Sequence, residues 1–326
     1  MEPTSYDDLG WDLNLALETR IQRNHSFSKK LDNLLLWIKY NVEKFRAPCD
    51  EGKLTDLHTD FVTHRGFLTT IMCSVFETKD AWIMGATRYR GTIYLCQYET
   101  AYRIQRGKNM PKRLTRALAW AYKFKQFLTA SEPGGRPTPE NPSNEKEKFC
   151  SVVRTRLGKS HSLVYGAKVA AVDARFVEQN PHLKHSTRRY VEMKTPRRVD
   201  NRRQHDNLIE FKAIKWWAQS HLIGIPRVIC GFRDDDGIVQ SLESYDLPDL
   251  VKLGRRYWKP EDMLTFLENF LHFVKCTSIE RRVTLYEFSP RDRFVKCMDL
   301  PNECKDFDQY QILPSWYIDF MEGQLK

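Results

Sequence analysis

In the run Tyr190-Val191-Glu192-Met193-Lys194-Thr195, Val191 and Met193 alternate with Glu192 and Lys194. A strand turns successive side chains to opposite faces. Tyr190, Glu192 and Lys194 then point one way, with Val191 and Met193 behind them. No other stretch constrains the fold as much, because one face needs an apolar layer against it while the other sets a carboxylate beside an ammonium. Such a pair suits metal-assisted phosphodiester chemistry: the carboxylate binds Mg²⁺, and the lysine steadies a nucleophile or the developing phosphoryl charge. For an isolated Glu-x-Lys the plainer reading is an exposed ion pair, so the surroundings decide.

The chain has 326 residues, 41% of them hydrophobic, enough for one large α/β domain or two small ones. A formal net charge of +10 favours an acidic partner, most simply nucleic acid. Eight cysteines are scattered without Cys-x-x-Cys pairs, which indicates neither a zinc site nor a disulfide framework. No signal peptide and no membrane-spanning apolar run is found, so no membrane partner is expected and nucleus or cytoplasm fits best.

Residues 1–23 read as a loosely ordered lead-in, and 24–326 as a single domain. Leu31, Leu34, Leu35 and Ile38 stand at i, i+3, i+4 and i+7 and predict a helix. From Phe61 to Leu95, strand-like segments around turn signals predict two or three antiparallel strands. Lys112 to Ala130 reads as a helix with an apolar stripe of Leu114, Ala117, Leu118, Ala121, Phe124 and Leu128. Lys125 falls at the stripe's edge, where a lysine can snorkel to the surface. Ser131–Glu147, rich in Pro, Gly and charge, is a surface loop.

Strands are expected at Phe149–Leu157 and Ser162–Phe176, and in the second Val164, Gly166, Lys168, Ala170 and Val172 share a face if it is regular. A second helix is expected over Asn207–Leu222, and a strand at Val228–Phe232 ends in Asp234-Asp235-Asp236-Gly237. That aspartate run reads as a solvated hairpin tip rather than a metal cluster. Pro260 opens another amphipathic helix through Phe273. Arg188, Arg189, Arg197, Arg198, Arg202 and Arg203 bracket the Glu-x-Lys run and could face a nucleic-acid backbone.

Taken together, several stretches resemble the eukaryotic decapping exoribonuclease family. They are His64-Arg65-Gly66, Arg88–Leu95, Tyr122-Lys123-Phe124, Phe149–Arg154, Tyr190–Thr195, Lys215–Ser220, Gly224-Ile225-Pro226, Gly231-Phe232-Arg233 and Leu313–Tyr317, in the family's order across roughly residues 30 to 320. The resemblance implies an α/β (α+β) fold with two mixed β-sheets flanked by helices, similar in its core to restriction-enzyme-type nucleases. It also implies removal of incomplete or NAD caps from RNA 5′ ends, with Mg²⁺ or Mn²⁺ held by acidic side chains. Carried over by position, Glu192 is the metal ligand and Lys194 the catalytic lysine. His64, Arg65, Gly66, Cys150 and Gln219 would join Lys194 on the RNA side, and an exoribonuclease is an expected protein partner.

The pattern then breaks. Where the family has Tyr-Lys-Phe-Glu, the chain reads Tyr122-Lys123-Phe124-Lys125, and where the family has Gly-x-Glu-x-Asp it reads Gly166-Ala167-Lys168-Val169-Ala170. Three acids are gone and two lysines stand in their places. At an effective dielectric near 20, unit charges about 4 Å apart interact by roughly 4 kcal/mol. Glu192 is the one matched metal ligand left, so a metal site is expected to be weak or absent. Lys125, Lys168, Lys194 and Arg65 are instead expected to hold an RNA 5′-phosphate directly. Asp173 could supply a second carboxylate only through a β-bulge. An active nuclease with an altered site and a protein-docking scaffold are the alternatives.

Overall fold

The computed structural model describes residues 9–23, 30–46, 56–301 and 307–323. It divides into two compact units, each assembled from three separate segments. The first comprises 1–26, 108–150 and 168–260, and the second 27–107, 151–167 and 261–326.

The first unit is organised by the apolar backing of Tyr190–Lys194. Val191 and Met193 pack with Leu13, Trp120, Phe124 and Val239 in one buried cluster. Five strands form its mixed sheet, in the order Trp11–Asp12, Ile238–Asp246, Arg227–Arg233, Tyr190–Lys194, Ala171–Val172. Tyr190–Lys194 runs parallel to Arg227–Arg233, with Lys194 opposite Cys230, and antiparallel to Ala171–Val172. The helix Lys112–Leu128 crosses the sheet close to Gly231, where an added Cβ would lie 2.3 Å from Phe124 Cε2.

Several expectations change here. In the lead-in, Trp11 and Asp12 pair with Val239 and Ile238, and Leu13 is fully buried. Its first eight residues lie outside the described residues. Helix Lys112–Leu128 buries Ala119, Trp120, Lys123 and Phe124, while Leu114 and Leu118 are exposed. The buried face keeps Ala117, Phe124 and Leu128 of the expected stripe but is centred on Trp120 instead of Leu118, because the large Trp120 ring gains more from burial than the leucine. The expected helix Asn207–Leu222 begins earlier, as Arg202–Leu208, passes through a π-helical turn at Ile209–Ala213 and resumes as Ile214–His221.

In the second unit a seven-stranded mixed sheet runs in the order Phe294–Leu300, Val283–Ser289, Trp82–Tyr89, Thr92–Tyr98, Phe61–His64, His161–Val169, Phe149–Leu157. Helix Asp32–Tyr40 buries Leu34, Leu35 and Ile38 as their spacing predicts. Between Phe61 and Leu95 the strands are not all antiparallel. Phe61–His64 is parallel to both neighbours, and a helix, Arg65–Cys73, follows it at once. Leu68, Ile71 and Met72 are buried at the 3–4 spacing that a strand reading overlooks. The strand expected over Ser162–Phe176 ends at Val169, followed by Ala171–Val172 and a helix, Ala174–Gln179. No helix among the described residues is long and apolar enough to cross a membrane.

Candidate functional site

Strand Tyr190–Lys194 delivers its two charged side chains as the alternation predicts. Glu192 is 5% exposed, and its Oε1 accepts a hydrogen bond from the Met193 amide at 3.2 Å. Lys194 Nζ lies 3.5 Å from that same oxygen and donates to Gln219 Oε1 at 2.8 Å. Helix Ile214–His221 carries Gln219 and is anchored by the buried Trp216 and Trp217. The carboxylate, the ammonium and the amide therefore form one connected group in the first unit.

Ala171 stands opposite Val191 in the antiparallel pair, so the same register taken one residue further sets Ala170 opposite Glu192. A methyl group occupies the position where the family pattern has Asp. Two residues earlier, Lys168 Nζ donates to Tyr122 Oη at 3.4 Å and lies 4.8 Å from the ring centroid. Lys125 Nζ lies 6.0 Å from the same ring. The Tyr122 ring thus gathers both replacement lysines through cation–π contacts. Asp173 does not turn towards Glu192. Its carboxylate caps helix Ala174–Gln179 by accepting from the Phe176 amide and is ion-paired with Arg227.

These residues do not fit a divalent cation. Mg²⁺ and Mn²⁺ need several anionic oxygens in near-octahedral geometry. Here one matched carboxylate already has an ammonium beside it, and the other matched positions are Lys125, Lys168 and Ala170. Among the described residues no three His, Cys, Asp or Glu side chains are grouped to hold a metal. The Asp234–Gly237 run is a hairpin tip, where Asp234 accepts from the Asp236 and Ile238 amides and Asp235 pairs with Arg197.

The remaining expected site residues are placed as follows. In the second unit, His64 Nε2 lies 3.2 Å from the Lys30 carbonyl. Burial lowers the His64 imidazole, against hydrogen bonds to the Lys30 and Gly166 main chain. Its ring is therefore committed to the backbone and braces the entry to helix Arg65–Cys73. Burial pushes the Tyr165 hydroxyl up, and the nearby Arg65 guanidinium draws it partly back. Gly66 is exposed, with open space where a Cβ would stand. Cys150, in the first unit, is an exposed free thiol.

Sequence reasoning passed over Lys123, Lys148 and Arg23. Lys123 is 1% exposed and donates to the carbonyls of Pro139 and Asn141 at 2.8 and 2.7 Å, clamping the 131–147 loop. Its place between Tyr122 and Phe124 in a family-like motif was the available signal. Lys148 lies near Lys168 and Arg23, a proximity that no periodicity could reveal.

The two mixed sheets and the Glu-x-Lys strand give the α+β architecture of a nuclease-type fold. The model of the RAI1-like PD-(D/E)XK nucleases matches residues 1–318. Among curated proteins, the decapping and exoribonuclease protein of Xenopus laevis is 31% identical over 317 residues, spanning 95% of this chain and 76% of that protein. The decapping nuclease RAI1 of Neurospora crassa is 32% identical over 87% of this chain and 69% of its own length. Among solved structures, Scheffersomyces stipitis Rai1 superposes with a TM-score of 0.83 at 21% identity, covering 98% of this chain and 90% of that one. Candida albicans Rai1 in complex with pU5-Mn²⁺ gives 0.80 at 19% identity, over 98% and 89%. The chain belongs to the RAI1-like PD-(D/E)XK nuclease family.

Proposed function

We propose that this chain binds RNA 5′ ends and has lost the metal-dependent cleavage of its relatives. One observation carries the reading: the partner position to Glu192 is filled by Ala170, while Lys168 and Lys125 sit on Tyr122. Two-metal hydrolysis needs carboxylates to offset the repulsion between cations, and Lys125 and Lys168 bring ammonium groups instead. The same substitution favours a phosphate, which lysine holds as a point charge. Support for RNA as the ligand comes from a homologue, the Candida albicans protein in complex with pU5-Mn²⁺. No cleavage step is assigned to Lys194, which serves to hold Glu192 and Gln219.

The direct test is incubation with Mg²⁺ or Mn²⁺ and NAD-capped, triphosphorylated or 5′-monophosphate RNA. No turnover is expected, together with binding that weakens steeply as salt rises. Robust turnover abolished by Glu192→Ala would restore the active-nuclease reading. Failure to bind any RNA at low salt would move the chain to the protein-docking reading.

A further inference from the structure

Beyond the Glu192 group, three segments of the first unit bring basic residues to one place. The N-terminal segment is tied to the loop ahead of strand Phe149–Leu157. The Ile21 amide donates to the Ser143 carbonyl at 2.9 Å, and the Glu145 amide donates back to the Ile21 carbonyl at 3.0 Å. Glu145, 8% exposed, pairs with Arg20 at 3.3 Å and accepts from the Arg23 amide at 3.3 Å. These bonds fix the main chain at Arg23 beside Glu145, three residues ahead of Lys148. The third segment contributes Lys168, which Tyr122 Oη and the Tyr122 ring hold in place.

We propose that Arg23 and Lys148 complete, with Lys125 and Lys168, a metal-free seat for the phosphate at the 5′ end of an RNA. The proposal rests on the reading of the chain as an RNA 5′-end binder and adds which side chains meet the charge and that no cation takes part. Burial lowers the Lys148 ammonium, and Arg23 and Lys168 lower it further against an opposing pull from Cys150. In the free protein Lys148 is repelled by Arg23 and Lys168 in partly desolvated surroundings, and an arriving dianion relieves that repulsion. Arginine supplies a planar fork and the lysines point charges, a combination suited to a terminal phosphate with three open oxygens. A divalent cation would be repelled by the same cluster and would compete for the phosphate in solution.

The test uses the full chain and short RNAs labelled at the 3′ end, one with a 5′-monophosphate and one with a 5′-hydroxyl, followed by fluorescence anisotropy at low salt in EDTA. The phosphorylated strand is expected to bind about tenfold tighter than the hydroxyl strand, as for a charge-assisted contact. Mg²⁺ should weaken binding. Lys148→Met should remove most of the preference for the phosphate while leaving the hydroxyl strand unaffected, and Arg23→Gln should do the same. Because Lys148→Met also removes like-charge repulsion, its Tm without RNA should equal or exceed that of the unaltered chain. A Tm lowered by several degrees would assign Lys148 a structural role and overturn the proposal. Unchanged preference in both variants, or binding that requires Mg²⁺, would overturn it while leaving RNA binding intact. Absence of binding to either RNA by the unaltered chain would reject the 5′-end reading itself.

Discussion

Replacing Lys194 by Met tests whether the Glu192 carboxylate depends on its own lysine for a counter-charge. Glu192 and Lys194 keep side-chain exposures of only 6% and 22%, with 3.5 Å between Oε1 and Nζ. At an effective dielectric of 20, that separation corresponds to an attraction of roughly 5 kcal/mol before desolvation is subtracted. Removing one member of a buried pair costs about 3–5 kcal/mol, because the other charge is left uncompensated. Lys194→Met is therefore expected to lose about 3 kcal/mol at pH 7.5, read by urea unfolding monitored by circular dichroism. The variant should recover part of that loss at pH 5.5. A buried carboxylate without its counter-ion favours the protonated form, so the folded state then takes up protons ahead of the unfolded one and gains stability as pH falls. Glu192→Gln/Lys194→Met should return to within about 1 kcal/mol of the unaltered chain, giving a large coupling energy. A single-variant loss below about 0.5 kcal/mol, or a loss of equal size at both pH values, would refute the reasoning.

Gly231→Ala should cost about 1–3 kcal/mol, since the new methyl would meet the Phe124 ring at 2.3 Å, and Phe124→Leu should recover much of it in the same unfolding assay. Burial is the largest cause holding His64, His161 and His221 below the ordinary imidazole value. Their unfolded forms bind protons first, so stability present above about pH 6.5 should be lost as pH falls through it, by up to roughly 1.4 kcal/mol per pH unit for each ring, and His64→Asn should flatten the slope. Lys123→Met removes the Lys123 ammonium from the Pro139 and Asn141 carbonyls and leaves Asn141 with Gln126 Nε2 alone. It should cost about 1–3 kcal/mol and quicken limited proteolysis within 131–147, whereas an unchanged cleavage rate would count against the clamp. Lys125→Glu, Lys168→Glu and Ala170→Asp together should create Mn²⁺ binding by calorimetry and metal-dependent RNA cleavage, and a silent triple variant would mean that the frame has diverged beyond these positions.

Elements whose burial follows a single period were readable in advance. Leu31, Leu34, Leu35 and Ile38 named their helix, and Val191 and Met193 named the backed strand. The Asp234–Gly237 turn was equally plain, since Gly237 adopts a φ of +89° that suits glycine. For helix Lys112–Leu128 the expected stripe was right at Ala117, Phe124 and Leu128 and wrong at Leu114 and Leu118, because it left out Trp120, on which the buried face is centred. The break after Val169 followed no local signal, and the strand resumes at Ala171 only through pairing with Val191, which lies twenty residues further on. Of the site, Glu192 beside Lys194 was legible from strand alternation, whereas Gln219, on a helix, was indicated only by the resemblance. Arg23 and Lys148 were not, since long-range main-chain bonds between Ile21 and residues 143 and 145 place them.

The interleaving of the two units has an outcome during synthesis. Every segment of the first unit precedes residue 261, whereas the second draws its last segment from 261–326. As the polypeptide leaves the ribosome, the half bearing Glu192 can close while its companion still lacks the hairpin Val283–Leu300. Partly translated chains would then already carry the Glu192–Lys194–Gln219 group in a closed unit.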